Sequence, residues 1–313
     1  MKAHKALASL LLDFCNRRPI RAGSLIVTVF GDSISQHGNS VWLGSLIRAL
    51  EPFGLNQRLV RTSVYRLIQD DWLCARQIGR KSYYSFTESG LQHYQQAARR
   101  IYASDLPPWD GLWTLVIPSD LADPARDRLR KELAWQGYGS LSRGVMAHPN
   151  AEPAGLEQTL KSLEVFENTL VMQASAGANG SQKSMRQLIA RHWDLEELDK
   201  RYRDFIKSFQ AFAKSRKIAE ALSDAECFQL RTLVVHEFRR ILLKDKDLPA
   251  ELLPRNWSGT RARALVKHIY QQIGTRAESF LLEHFESSEG PLPRARTDFY
   301  RRFGGIEAPG QKL

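Results

Sequence analysis

The chain has 313 residues, 43% of them hydrophobic and 25% charged, an ordinary globular composition that excludes a wholly disordered protein. Its longest apolar runs, such as Leu25 to Phe30, fall far short of the roughly 18–20 residues a membrane-spanning helix needs, so a soluble chain with no membrane partner is expected. The 45 Lys and Arg exceed the 34 Asp and Glu, and residues 1–105, with 14 basic and 7 acidic side chains, carry +7 of the total +11. A positive field concentrated on one third of the chain suits a polyphosphate partner, because neutralising phosphates releases condensed counterions.

In chain order, MKAHKALASLLLDF opens like a signal peptide, but Asp13 closes its apolar run and Arg17-Arg18 stand where a small-residue cleavage site would lie. An amphipathic helix is predicted there. Cys15, Cys74 and Cys227 form no CxxC pair, so neither a disulfide framework nor a thiolate metal site is encoded and a reducing cytoplasm fits. LIVTVF suits a buried helix ended by Gly31-Asp32. It also suits a strand delivering Ser33 of FGDSI as a nucleophile, as in GDS-type esterases, but the DxxH that would supply the base is absent.

VWLGSLIRALE, 41–51, places Val41, Leu43, Leu46, Ile47 and Leu50 at helical spacing and ends in the turn residues Glu51-Pro-Phe-Gly54. Asn56 then offers an N-cap to QRLVRTSVYRLIQDD. In that helix Val60, Val64, Leu67 and Ile68 make one stripe, while Arg58, Arg61, Thr62 and Tyr65 make another on a different face. WLCARQIGRKSYYSF follows as a hairpin turning at IGRK, with Arg76, Arg80 and Lys81 at or near its tip. Helix, tight turn, basic helix and basic hairpin is the order of a winged helix-turn-helix, predicted over residues 1–105. Gln57, Arg58, Arg61 and Thr62 fall in the first half of the helix, where base edges are met, and Arg is a bidentate reader of guanine. Arg66 and the wing residues suit phosphates.

A break at SDLPPWDG, 104–111, opens a second domain, 106–175: strand LWTLVIP, helix 123–136, strands near 138–142 and 143–147, helix 154–164, strand ENTLVMQ. That βαββαβ order is ferredoxin-like. ASAGANGSQKS, 174–184, reads as a linker. Residues 184–290 are predicted all-helical, with stripes in 194–213 and 224–244, and 291–313 form a basic, aromatic, loosely ordered tail. The fold class is therefore α+β multidomain. In 236–259 His236, Arg239 and Arg240 share one side of a helix at i, i+3, i+4 and could receive an anion or pair with carboxylates of a neighbouring helix. Trp257 is either a packing corner or, with Trp113, Trp135, Trp193 and Tyr202, an aromatic wall for a ligand. No HExxH, Walker loop or GxGxxG is present, so no catalytic residue, metal or cofactor is expected.

Three stretches carry a family resemblance from about residue 20 to 290: SLIVTVFGD with VWLGSLIRAL, VRTSVYRLIQDDWL with GRKSYYSFTESG, and HEFRRILLKDKDLPAELLPRNW. The last is the specific one, since a long helix followed by LPxxLLPxxW has no generic cause. The chain resembles the PaaX family of transcriptional repressors of phenylacetic acid catabolism. The resemblance implies a cytoplasmic homodimer that binds palindromic operator DNA and is released by phenylacetyl-coenzyme A. It puts DNA reading on Gln57, Arg58, Arg61, Thr62 and Arg66, with Arg80 and Lys81 on the wing. No motif fixes the effector contacts, so His236, Arg239, Arg240 and Trp257 rest on physical inference alone. An alternative from another class is an RNA-binding or RNA-processing protein acting through the ferredoxin-like domain, although LWTLVIP and ENTLVMQ lack the basic and aromatic pattern of RNA-recognition strands.

Overall fold

The computed structural model describes residues 2–103, 108–175, 187–191, 193–213, 217–246 and 248–306, apart from the side chains of Gln96 and Trp135. Residues 104–107 of the break at 104–111, 176–184 of the predicted linker and 307–313 of the tail lie outside the described residues. Two compact units form: Met1–Ser104 with Asp204–Arg240 and Thr260–Leu313, and Asp105–Arg203 with Ile241–Gly259. The helical C-terminal region is divided between them.

In the first unit, helix α1 (Lys2–Cys15) precedes α2 (Ala22–Asp32). The LIVTVF run is helical, and every residue from Leu25 to Asp32 is buried. A helix covered on all sides needs apolar residues on all sides, which is why its pattern has no polar stripe. Strand β1 (Val41–Trp42) takes two residues expected to be helical and pairs them with Tyr84 and Tyr83. Helix α3 (Leu43–Leu50) follows, and Gly54, at φ +75°, makes the left-handed turn into α4 (Gln57–Gln69). Asn56 caps α4 as its sequence suggests, its Oδ1 accepting the Leu59 N–H at 2.9 Å. Val60, Val64 and Leu67 are buried and Ile68 is half-buried. Strands β2 (Leu73–Ile78) and β3 (Lys81–Phe86) then form a hairpin around Gly79-Arg80, giving a three-stranded sheet of order β1-β3-β2, and α5 (Glu88–Ile101) closes the winged helix.

The second unit contains β4 (Leu112–Pro118), α6 (Asp123–Trp135), β5 (Gly139–Ser142), β6 (Val145–His148), α7 (Pro153–Ser162) and β7 (Thr169–Ser175). Its antiparallel sheet has the order β5-β6-β4-β7, the ferredoxin-like arrangement of a βαββαβ chain. Leu129 and Leu133 of α6 and Leu156 and Leu160 of α7 pack on Val116 and Met146 to form its core.

The C-terminal region supplies α8 (Leu195–Ala213), the short α9 (Ile218–Ala221), α10 (Asp224–Leu242), α11 (Ser258–His284), a small hairpin of β8 (Glu286–Ser287) and β9 (Gly290–Pro291), and α12 (Thr297–Tyr300). The expectation of a loose tail is corrected over residues 292–306: Leu292, Phe299, Arg302, Phe303 and Ile306 are all buried. The apolar and aromatic side chains that read as a basic tail are core residues of the first unit.

What anchors them is a buried charge cluster at the end of α2. The Asp32 carboxylate lies 3.0 Å from Arg231 Nε and 3.1 Å from Arg302 Nη1, and accepts hydrogen bonds from the hydroxyls of Tyr102 (2.6 Å) and Tyr270 (2.9 Å). Arg231 also reaches Glu278 at 2.6 Å and donates to Ser33 Oγ at 2.8 Å, and His37 Nε2 lies 2.8 Å from the far oxygen of Glu278. The buried Ser33 hydroxyl is therefore a structural acceptor in this cluster. Burial pushes the Glu278 carboxyl up, but Arg231 and His37 outweigh it and hold its pKa below the usual value. Truncating one member strands buried charge on the others. Arg231→Met is expected to cost about 3–5 kcal/mol of unfolding free energy in urea titration. Because the folded pKa of Glu278 is depressed, its contribution is present above the unfolded carboxyl pKa and is lost as pH falls through the folded one. The difference between wild type and variant should therefore shrink in acid.

Candidate nucleic-acid interface

Helix α4 sorts its residues cleanly. With Val60, Ser63, Val64 and Leu67 buried, Gln57, Arg58, Arg61, Thr62, Tyr65 and Arg66 all stand in solvent. Tyr65 is 63% exposed, which is unusual for so large an apolar ring and typical of a contact surface. With its carboxamide oxygen turned toward Arg61, Gln57 accepts from Arg61 Nε at 3.2 Å and Nη2 at 3.1 Å, which steadies the guanidinium. Thr62 Oγ1 donates to the Arg58 carbonyl at 2.9 Å. On the hairpin, Arg76 and Arg80 are exposed.

Among the described residues, none of Arg58, Arg61, Arg66, Arg76 and Arg80 pairs with a carboxylate. Arginines elsewhere do: Arg126 with Asp123, Arg130 with Asp127, Arg201 with Glu197 and Arg203 with Asp199, all at i, i+3 or i, i+4. A solvated helix face ordinarily mixes charges in this way. The exposed face of α4 and the wing instead keep five guanidiniums unneutralised in helix-and-hairpin order, an arrangement able to meet base edges and backbone phosphates together.

Lys81 differs from its neighbours. Its ammonium lies 2.6 Å and 2.7 Å from the two oxygens of Glu286 and 4.6 Å from the centre of the Trp42 ring, and Tyr83 OH donates to the same carboxylate at 3.0 Å. The wing strand is thereby tied to β8, and the cation expected to hold a phosphate already has an acid partner. The Lys81 contact holds the Glu286 carboxyl below its usual pKa.

The proposed effector residues do not form one cationic row. His236 is buried, with Nδ1 3.0 Å from Thr28 Oγ1, and burial together with Arg239 and Arg240 keeps it well below the usual histidine pKa, so at neutral pH it is uncharged. Arg239 is buried and turned to Ser24, while Arg240 pairs with Glu237 of its own helix at 3.1 Å. His236 and Arg240 border a cavity of about 340 Å³ beside the α1–α2 junction. In the other unit, Trp257 is buried against Tyr202, ring centres 5.8 Å apart, the packing-corner geometry. Trp113 packs edge-on to both Trp109 and Trp193. The side chain of Trp135 lies outside the described residues. On the ferredoxin-like sheet, exposed Leu170 and Met172 of β7 sit opposite Ile117 and Leu115, an aliphatic surface without the basic and stacking side chains an RNA reader uses.

Family models match in the same order as these domains: one described as PaaX-like protein over residues 21–90, one as PaaX protein central Cas2-like domain over 106–186, and one as PaaX-like protein C-terminal domain over 193–283. The transcriptional repressor PaaX of Escherichia coli (strain K12) is 36% identical over 299 residues, 95% of each chain. The chain belongs to the PaaX family. As a homologue of a PaaX repressor it is a transcriptional regulator and not an enzyme. A solved structure, the uncharacterized protein Rv0674 from Mycobacterium tuberculosis, aligns with a TM-score of 0.54 at 21% identity, over 82% of this chain and 97% of that one, and shares the fold. The order of PaaX domains, an N-terminal domain, a Cas2-like ferredoxin domain and a helical C-terminal domain, is the α+β organisation expected from the sequence.

Glu286 was invisible as a wing residue, since it lies 205 positions from Lys81 with no local signal. Two outcomes follow for this face. If Arg61 reads a base, Arg61→Ala costs about 1–3 kcal/mol on operator DNA and little on unrelated duplex, measured by fluorescence anisotropy; equal losses on both would move Arg61 to the phosphate class. Glu286→Gln releases the Lys81 charge, so non-specific duplex affinity should rise and the slope of log K against log salt should steepen by about 0.9. An unchanged slope would show that Lys81 does not reach DNA.

Proposed function

We propose that the chain represses an operon for catabolism of phenylacetate or a related aromatic acid, binding double-stranded operator DNA in the cytoplasm as a homodimer. An aryl-acetyl-coenzyme A such as phenylacetyl-coenzyme A would release it. The observation that carries the DNA reading is the set of five arginines on α4 and the wing that lack acid partners among the described residues, alongside similarity over nearly the whole chain to a transcriptional repressor. Gln57, Arg58, Arg61 and Thr62 are assigned to base edges, Tyr65 to the groove wall, and Arg66, Arg76 and Arg80 to phosphates. Lys81 serves the wing through Glu286 first. The dimer is a physical requirement: one winged helix buries of the order of 600–1,000 Å², so useful affinity calls for two copies on half-sites about 34–36 Å apart or a multiple of that. The effector class rests on the family resemblance.

For release, the ligand must bind the DNA-incompetent state more tightly, and a hundredfold fall in operator affinity corresponds to about 2.7 kcal/mol of coupling. By reciprocity the operator weakens ligand binding by the same factor. Calorimetry of phenylacetyl-coenzyme A with and without operator duplex tests this, with sedimentation to count subunits per duplex. Equal affinity in both states would reject the compound as inducer, and one monomer per operator would reject the dimer.

A further inference from the structure

The segment joining α1 to α2 brings together more positive charge than its neighbours neutralise. Arg17 pairs with Glu237 at 2.5 Å, and Arg240 pairs with the same carboxylate. Among the described residues Arg18 donates only to main-chain carbonyls, of Cys15 at 2.7 Å and Arg17 at 2.9 Å. Arg21 is exposed at the N-cap of α2, and its side chain makes no capping bond to the first turn of that eleven-residue helix. Four guanidiniums thus surround the cavity with one carboxylate between them. An uncapped helix N-terminus adds its own positive partial charge.

Arg239 does not line the cavity but places a buried charge next to Arg240, which does. It is only 7% exposed, no carboxylate pairs with it among the described residues, and its Nε has no hydrogen-bond partner. Among the described residues its one hydrogen bond runs from Nη1 to Ser24 Oγ, at 3.4 Å, in the first turn of α2. A buried cation left without an acid is costly, and an anion at the turn would offset that cost. Phe14, Pro19 and Ile20 give the cavity an apolar wall, with Phe14 edge-on to the neutral ring of His236 at 5.7 Å. A ligand fitting both features carries phosphates, which match the planar forks of several arginines, on an organic body flat or apolar enough for the wall.

We propose that this cavity holds the phosphate-bearing part of an organic anion on Arg18, Arg21 and Arg240, and that occupancy is relayed to α4 through α2. The relay is short. Gly23, in the uncapped turn, packs on Leu67 of α4, with only about 3.9 Å between its Cβ position and the Leu67 side chain. A phosphate that draws Arg240 and Arg17 off Glu237 also loads the turn against which α4 is seated. This deepens the effector reading above and rests on it for the identity of the ligand as an acyl thioester of a phosphorylated nucleotide.

The test uses the full chain and calorimetry with adenosine 3′,5′-bisphosphate, coenzyme A, phenylacetyl-coenzyme A, phenylacetate and inorganic phosphate. The Arg21→Ala, Arg240→Gln double variant, which removes two rim side chains, is expected to keep its thermal midpoint and its ligand-free operator affinity. It should bind the nucleotide ligands at least tenfold more weakly, and Arg21→Lys, Arg240→Lys should recover part of the loss. Unchanged nucleotide affinity in the alanine–glutamine variant overturns the proposal. So does loss of operator affinity without ligand, which would assign the arginines to DNA phosphate, or inorganic phosphate binding as tightly as the bisphosphate, which would leave a bare anion site. If phenylacetyl-coenzyme A releases operator from wild type and variant alike, the cavity fails and the effector reading stands. If nucleotides bind through these arginines but no acyl thioester releases operator, the cavity stands and the effector reading fails.

Discussion

The Asp32 carboxylate is the point on which the first unit turns. It sits at the end of a helix buried on every side, and it is tolerable there only because two arginines and two tyrosine hydroxyls converge on it from α10, α11, the residue that ends α5 and the 292–306 segment. Such a cluster is weak evidence for stability, since a well-packed apolar replacement does as well or better. Its effect is on completeness: remove any of the contributing segments and a buried charge loses its partner. The winged helix of this chain is consequently not a detachable module. Gly31 makes the same point sterically, because a Cβ at that position would lie 2.0 Å from the Tyr94 ring of α5.

This construction sets how α4 and the wing are held. Helix α2 touches α10 through the Asp32–Arg231, Thr28–His236 and Ser24–Arg239 contacts, spaced four residues apart along α2. On its other side α2 carries α4, and the wing is fastened to Glu286 just past α11. Both elements that would meet DNA are thus seated on parts of the C-terminal region. A ligand acting on α10 or the α1–α2 junction needs no long chain of couplings to alter how α4 is presented, only a differential affinity for two seatings of one helix.

Local order was legible from the sequence, and distant pairing was not. The stripe of α4, its Asn56 cap, the IGRK hairpin and the βαββαβ alternation all rest on contacts within a few residues or on a simple period, and each appears as read. Val41 and Trp42 show the limit: their spacing suits a helix, but the free edge of β3 captures them. The tail shows it again, because RTDFYRRF looks like a solvated basic strip until Asp32, 270 residues earlier, supplies the acceptor for Arg302. His236, Arg239 and Arg240 were grouped by spacing alone. At 100° per residue Arg239 and Arg240 fall about 60° to one side and 40° to the other of His236, enough to send one into the α2 contact and the other to the cavity. Arg17 and Arg18 read only as an argument against a cleavable leader, since nothing in the sequence announces that Arg17 pairs with Glu237 of α10.

The net charge concentrated in residues 1–105 has a physical counterpart in the structure. Net charge says little when arginines are paired at i, i+3 or i, i+4, as they are on α6 and α8, because each pair presents a near-neutral surface to a distant partner. The excess in residues 1–105 matters because, among the described residues, its arginines on α4 and the wing form no ion pair, not even Arg66 with Asp70 four residues on. Glu286 shows what an acid does when the fold supplies one: it draws Lys81 out of the free set and makes it a brace between β3 and β8. The same reasoning separates the two basic surfaces of the first unit. On α4 and the wing the guanidiniums are open to solvent, suited to a long polyanion that displaces counterions, whereas at the α1–α2 junction they line a cavity with an apolar wall of Phe14, Pro19 and Ile20, suited to phosphates carried on an organic body.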